Sequence, residues 1–576
     1  MSNLSRVRAA LLAILAATVC CVGATSATAA PTLPLGHEGR WITDAGGRVV
    51  VMHGANLVYK LAPFYPSAGP FGPSDAAFLR SLGLTAVRVG VLWEALEPQP
   101  GVYDDAYLTH IAGTVKLLRR YGIVSILDFH QDQYNEKFLG EGFPAWSVQD
   151  DGLPNPPIAF PAGYEANPAV QRAFENFWAD EPGPGGVGLQ ERYAAAWAHV
   201  ATRFRGNHSV LGYEIMNEPF PGSDYTSCAS PGCPASDAEL TRLERKVDRA
   251  IRTEDARTLV FYEPYVTFNF GFPDGVGALN DRRAVFAWHD YCLAPSPNGC
   301  STNETTMKVA AARVAKTGDG TFLTEYGATS SAPSLDLMVS LADKYMVPWT
   351  YWSYCTCNDP TGSPDEGMVL DPSKRKTAAN LRASIVDSIV EPYPQVIAGT
   401  PVSWGFDRST SKFTFRYRTA RASGRGAFGP GAVTEISAPA LVFGHGYAVR
   451  ATGAAIVSKP RAAVLQVVSC PRANNVSMTV APGSRRSSSC RLRLHIVVAP
   501  RAARAGASTR YRFTVRATLG SYSAPLAGAR ISFAGHGVRT NKRGRAAIRL
   551  ALAAREYTIT ARAAGYRTGR LRLTVR

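Results

Sequence analysis

A chain of 576 residues, 46% hydrophobic and 19% charged, is long enough for two or three globular domains and excludes general disorder. Its net charge of +17 is unevenly spread: residues 391–576 carry 31 basic side chains against four acidic ones, and the first 390 carry 31 against 41. A surface so basic favours an anionic lipid or cell-envelope surface, and the absence of any recognition motif argues against nucleic acid as the partner.

The chain opens with Arg6 and Arg8, an apolar run from Ala9 to Val22 and a small-residue end at Ala27 and Ala29. This is the layout of a secretory signal over 1–30, so the mature protein is expected to be exported, as a monomer. Outside this segment are eight cysteines, and their short gaps predict disulfides 228 with 233, 292 with 300 and 470 with 490. Cys355 and Cys357 either close a small ring or stay reduced. No pair of Cys-x-x-Cys units exists to hold zinc, and neither metal nor cofactor is expected.

Eight β-branched or aromatic runs follow, at 49–57, 86–91, 124–130, 210–218, 258–264, 284–291, 321–327 and 349–354. They are continuous rather than alternating, as in strands buried on both faces. Between them, 75–84, 105–123 and 189–204 carry apolar residues at three- and four-residue spacing, the first two ending in Gly like capped helices. Eight strands alternating with helices predict an α/β chain folded as a (β/α)8 TIM barrel over 31–388. The long Pro/Gly-rich loop from Gln131 to Asn167 is expected to build a wall of the site. Past Val390 short alternating runs predict a β-sandwich over 389–492. Over 493–576 they predict an immunoglobulin-like or carboxypeptidase-regulatory-like β domain.

In such a barrel, function sits at the C-terminal ends of the strands. The polar groups there are Lys60, Arg88, Asp128, His130, Asn217, Glu218, His289, Tyr291, Glu325 and Trp352, where a core would want Val or Leu. Arg88 alone would read as a buried ion-pair partner and His289 as a core histidine; together they converge on one rim. Glu218 and Glu325, on strands four and seven, can face each other across the mouth. Glycosidic bond hydrolysis with retention needs such a pair, about 5 to 5.5 Å apart. Arg88 beside one glutamate would hold it ionised, while burial and the ionised partner would keep the other protonated.

"YEIMNEP" and "LTEYG", with "RVG", "DFH", "HDY" and "YWSY" on their own strands, resemble glycoside hydrolase family 5. The resemblance implies Glu218 as acid/base, Glu325 as nucleophile, Asn217 on the sugar 2-hydroxyl, and Arg88 and Tyr291 orienting the nucleophile. It implies His130 and His289 as substrate contacts and Trp352 as the platform under the sugar. A narrower resemblance, carried by "GANLVYKLAPFYP", "LDFHQDQY", "GEGFPAW" and "FENFWAD", is to the endoglycoceramidases, which cut between oligosaccharide and ceramide. It adds Lys60, Asp128 and Trp178 as sugar contacts and a glycosphingolipid as substrate. An apolar trough for the ceramide is expected from Phe64, Tyr65, Phe71, Phe143, Trp146, Phe268 and Phe270. The generic motifs also fit an endo-β-glucanase or mannanase acting on β-linked oligosaccharides, and a silent carbohydrate-binding envelope protein is the non-enzymatic alternative.

Overall fold

The computed structural model describes residues 30–230, 232–272, 275–292, 299–300 and 302–576; the expected export signal lies outside them apart from Ala30. The described residues form two compact units, 30–393 with 439–444, and 394–438 with 445–576. No helix among them is long and apolar enough to cross a membrane.

The first unit is a closed barrel of eight parallel strands: β1 (His53–Leu57), β2 (Ala86–Val91), β3 (Val124–Phe129), β4 (Val210–Glu214), β5 (Leu259–Tyr262), β6 (Ala284–Asp290), β7 (Gly320–Tyr326) and β8 (Trp349–Tyr351). Pairing of β8 with β1, Trp349 opposite His53 and Tyr351 opposite Ala55, closes the ring. Nearly every strand residue is buried, which is why the strands read as unbroken apolar runs. All eight expected runs contain a barrel strand, most of them shorter than expected: the eighth, for example, stops at Tyr351 rather than Tyr354. The first run splits into Val49–Val50 and β1, and the fourth stops at Glu214 rather than Glu218.

The outer helices include α1 (Pro73–Ser81), α2 (Asp105–Arg120), α3 (Pro168–Trp178), α4 (Leu189–Phe204), α5 (Pro234–Glu254), α6 (Asn303–Thr317), α7 (Ala332–Tyr345) and α8 (Ala383–Ile389). The chain turns out of α1 and α2 at Gly83 and Gly122, both with positive φ, as capping glycines do. Among the described residues β5 is followed only by a short 3-10 turn, Val266–Phe270. Leu35, Ile42, Val50 and Met52 pack with Ile126, Leu211, Phe261 and Phe322 in one buried cluster. Gly212 makes room there, because a Cβ at that position would sit 2.1 Å from the Phe261 ring.

The second unit is all β. Thr400–Asp407, Lys412–Arg418, Asn475–Pro482, Tyr447–Thr452 and Arg486–Ser488 form one five-stranded sheet. Two four-stranded sheets made from residues 493–575 pack over Phe513, Val515, Ile531, Phe533, Ile559 and Leu573. All four disulfides are present: 228 with 233, 292 with 300, 355 with 357 and 470 with 490. The Cys355–Cys357 ring, left open by the sequence, is therefore closed.

Candidate active site

Arg88, fully buried on β2, organises the floor of the site. Its guanidinium donates to Glu214, to Glu325 and to Asn217 Oδ1 (2.9 Å), and lies 3.0 Å from Asp128 and 3.4 Å from Glu263. Burial alone would lower its affinity for a proton, but Asp128, Glu214, Glu325 and Glu263 outweigh this and hold it firmly cationic. One cation cannot neutralise four buried carboxylates, and Glu263 yields: burial and neighbouring Glu214 push its carboxyl well above the usual range.

Glu325 reaches the cavity through a defect in β7. Phe322 faces the barrel interior and Leu323 the helical layer, so unbroken alternation would turn Glu325 outward with Leu323. The ladder to β6 shifts by one residue between Leu323 and Glu325, a β-bulge that reverses the alternation and brings Glu325 onto Arg88. Tyr291 Oη donates to its other oxygen at 2.6 Å.

Glu218 lies four residues beyond β4, with φ of +44°, and Pro219 follows. The turn is held from below by Gln131, whose amide donates to the carbonyls of Asn217 (2.9 Å) and Glu218 (3.0 Å). The expected wall-building loop thus acts first as a bracket for the acidic turn. Asn217 Nδ2 donates back to Gln131 O at 3.0 Å. Asn269, on the turn after β5, donates to Glu218 Oε1 at 2.6 Å, and His289 Nδ1 lies 2.8 Å from the same oxygen. One oxygen of Glu218, one of Glu325 and a ring nitrogen of His289 all fall within 4.8 Å of one another.

The two carboxyls differ electrostatically. Burial, helped by Asp132, pushes Glu218 up to about 7. At Glu325 burial works in the same direction, but Arg88, bonded directly to it, opposes the rise. Both carboxyls end above the usual range, but the bonds from Arg88 and Tyr291 favour the ionised form of Glu325, which leaves Glu218 the better proton holder. Burial takes His289 down to about 3, so its ring is neutral at ordinary pH. At His130 burial also lowers, but the hydrogen bond with Asp128 and the nearby Asp132 carboxylate, 3.8 Å from Nε2, win and raise it to about 9.

Beside this pair stands a second charged group. The Lys60 ammonium lies 2.5 Å from Asp132, 3.1 Å from Asp359 and 3.5 Å from Glu141, and donates to Thr361. It also sits 4.6 Å over the Trp352 ring, which stacks on His130 with centroids 5.3 Å apart. His and carboxylate atoms cluster closely enough to hold a metal ion at His130/Asp132/Glu141 and at Glu218/His289/Glu325. Lys60 already occupies the first as a cation and Arg88 engages the second, so the donor sets fit an ion poorly.

Lys60, Arg88, His130, Asn217, Glu218, His289, Tyr291, Glu325 and Trp352 are thus joined in one network. Asp128 is fully buried between Arg88 and His130, a place for orienting those groups rather than for touching a sugar. Trp178 is also turned inward: its indole N–H donates to Phe220 O at 2.8 Å and its ring meets Phe177 and Tyr265 edge-on, bracing the chain behind Glu218. Asp132, Glu214, Glu263 and Asn269 were not singled out from the sequence. Glu214 and Glu263 stand inside strand runs already noted, where a carboxylate among apolar residues demands a partner; Asp132 lies just past such a run, in "LDFHQDQY", and Asn269 had no such signal.

A parallel barrel carrying two glutamates across its mouth, one raised to about 7 by burial and the other held by arginine and tyrosine, has the site of a glycoside hydrolase that works through paired carboxylates. The chain belongs to glycoside hydrolase family 5: residues 62–358 match the model described as cellulase (glycosyl hydrolase family 5), and 392–480 match the family 5 C-terminal domain. Endoglycoceramidase I of Rhodococcus hoagii (strain 103S) is 30% identical over 461 residues, 76% of this chain and 87% of that protein. An endoglycoceramidase of Cyanea nozakii is 29% identical, covering 66% of this chain and 80% of its own length. Among solved structures, endo-glycoceramidase II from Rhodococcus sp. in its ganglioside GM3 complex matches with TM-score 0.62 at 27% identity, covering 77% of this chain and 99% of that one.

Proposed function

We propose that the protein cuts the bond between oligosaccharide and ceramide in glycosphingolipids, with net retention. Glu325 attacks the anomeric carbon while Glu218 passes its proton to the glycosidic oxygen, which leaves with the bonding pair as ceramide hydroxyl. Glu218, now a carboxylate, takes a proton from water, whose oxygen displaces Glu325 and frees the sugar. The observation that carries this reading is the Glu218 and Glu325 pair, with oxygens within 4.8 Å, Glu325 bonded by Arg88 and Tyr291 and Glu218 by neither. The resemblance to family 5 supports Asn217 as the group on the 2-hydroxyl, and Lys60, His130 and Trp352 as contacts to the sugar beyond it.

The ceramide part of the proposal leans on the similarity to endoglycoceramidases. Of the aromatics expected to form a trough, Phe71, Phe143 and Phe268 are buried in the core, Tyr65 stacks on His110 and Trp146 packs on Trp93. Phe64 and the exposed Leu61, directly after Lys60, are the better apolar surface for a lipid next to the sugar. Export as a monomer, and attraction of the basic C-terminal half to an anionic surface, belong to the same proposal.

The test is release of product from labelled lactosylceramide, a ganglioside and a galactose-linked ceramide beside carboxymethylcellulose and mannan, read by mass spectrometry. Intact oligosaccharide and ceramide are expected from one or more glycolipids. Release from the polysaccharides alone overturns the lipid reading.

A further inference from the structure

The last β module, residues 493–576, lies beyond both family matches. It holds 17 arginines and one lysine against a single acidic side chain, Glu556. A guanidinium binds phosphate through two parallel N–H groups, where an ammonium offers only a point charge. Placement says more than number. In the sheet of Arg530–Phe533, His536–Arg539, Arg555–Arg562 and Gly569–Val575, Arg530 stands directly opposite Arg539 on one side and Arg562 on the other. Their neighbours Ile531 and Ala561 point into the core, so the three arginines share the outer, exposed face. Arg570 opposite Thr560 and Arg572 opposite Thr558 extend that face.

Adjacent strands are about 4.8 Å apart, so the Cα atoms of the three arginines line up within about 10 Å, and Arg539 Nη1 donates to Gly528 O at 3.2 Å. Like charges directly opposite one another destabilise a sheet. Glu556 lies 3.6 Å from Arg572 and leaves the row of three without a carboxylate of its own. A merely solubilising surface has no need of this in-register row. We propose that this face docks a linear phosphate-bearing polymer, successive phosphates bridging guanidinium groups on adjacent strands and the hydroxyls of Ser532, Thr558 and Thr560 adding donors. A lipid bilayer fits less well: among the module's described residues the exposed large hydrophobic is Val497, on the other sheet, so this face has no apolar anchor for an interface. The proposal does not depend on the glycolipid reading.

The test uses the full chain and fluorescently labelled long-chain inorganic polyphosphate, with affinity measured across a salt series. The variant Arg530→Ser/Arg539→Ser/Arg562→Ser is compared with Arg501→Ser/Arg504→Ser/Arg543→Ser, which removes the same charge from exposed loops. The row variant is expected to weaken binding on the order of 100-fold and flatten the salt dependence by about two to three in log–log slope; the loop variant is expected to cost a few-fold. Equal losses in the two variants reduce the effect to net charge and overturn the proposal. So does tighter binding to phosphatidylglycerol vesicles than to the polymer. Hydrolysis of detergent-dispersed glycolipid is expected to be the same in both variants, which keeps this outcome separate from that of the barrel.

Discussion

Replacing Asn269 with alanine is expected to move the alkaline limb of the pH–activity profile upward. Asn269 Nδ2 donates to Glu218 Oε1 at 2.6 Å, a bond that favours the ionised carboxyl and pulls Glu218 down against burial. A hydrogen bond to a charged group contributes about 1.5–3 kcal/mol, and about 1.4 kcal/mol corresponds to one pKa unit. His289 stays on the same oxygen at 2.8 Å and absorbs part of the loss, so the expected rise is about one unit from the starting value of about 7. Glu218 must carry its proton to act as acid, so kcat/KM falls as pH climbs through its pKa. At pH 8 about one tenth of the native enzyme and about half of the variant hold that proton, a relative advantage of about fivefold against each enzyme's own plateau. The assay is kcat/KM from pH 5 to 9 on a detergent-dispersed glycosphingolipid. A limb that stays in place, or moves to lower pH, refutes the assignment of Glu218 as the proton donor tuned by Asn269.

Tyr291→Phe removes the 2.6 Å bond to Glu325 and is expected to lower kcat/KM about 10- to 100-fold with little change in melting temperature, measured by kinetics beside thermal denaturation. Arg88→Met leaves Glu214, Asp128 and Glu325 without their cation and is expected to cost about 3–5 kcal/mol of stability, read as a lowered denaturation midpoint. Gly212→Ala forces a methyl to within 2.1 Å of the Phe261 ring, and a loss of about 1–3 kcal/mol in urea unfolding is expected.

The barrel was legible because strands buried on both faces leave continuous apolar runs, and all eight runs contain one. Glu218 and Glu325 were legible because carboxylates ending such runs have few other uses. Harder to read was how each reaches the cavity. β4 ends at Glu214, and Glu218 is presented by a left-handed turn held by Gln131, 87 positions earlier. Glu325 depends on a bulge that strict alternation does not contain. Glu214 and Glu263, as carboxylates in apolar runs, signal that a partner is needed but not that it is Arg88, since a buried ion network is a property of distant pairs. Asp128 and Trp178 show the converse: their motifs were plain, but folding spends their polar atoms on Arg88, His130 and the Phe220 carbonyl. The aromatic loops misled for a similar reason, because Phe143 and Phe268 serve packing.

The most direct test of the paired-glutamate account is proton NMR of the sugar released from a β-linked glycosphingolipid in the first minutes of reaction. Double displacement through Glu325 predicts that the β-anomer of the intact oligosaccharide appears first and that the α-anomer grows in later by mutarotation. An α-anomer formed first, or single sugars trimmed from the far end of the oligosaccharide, contradicts it.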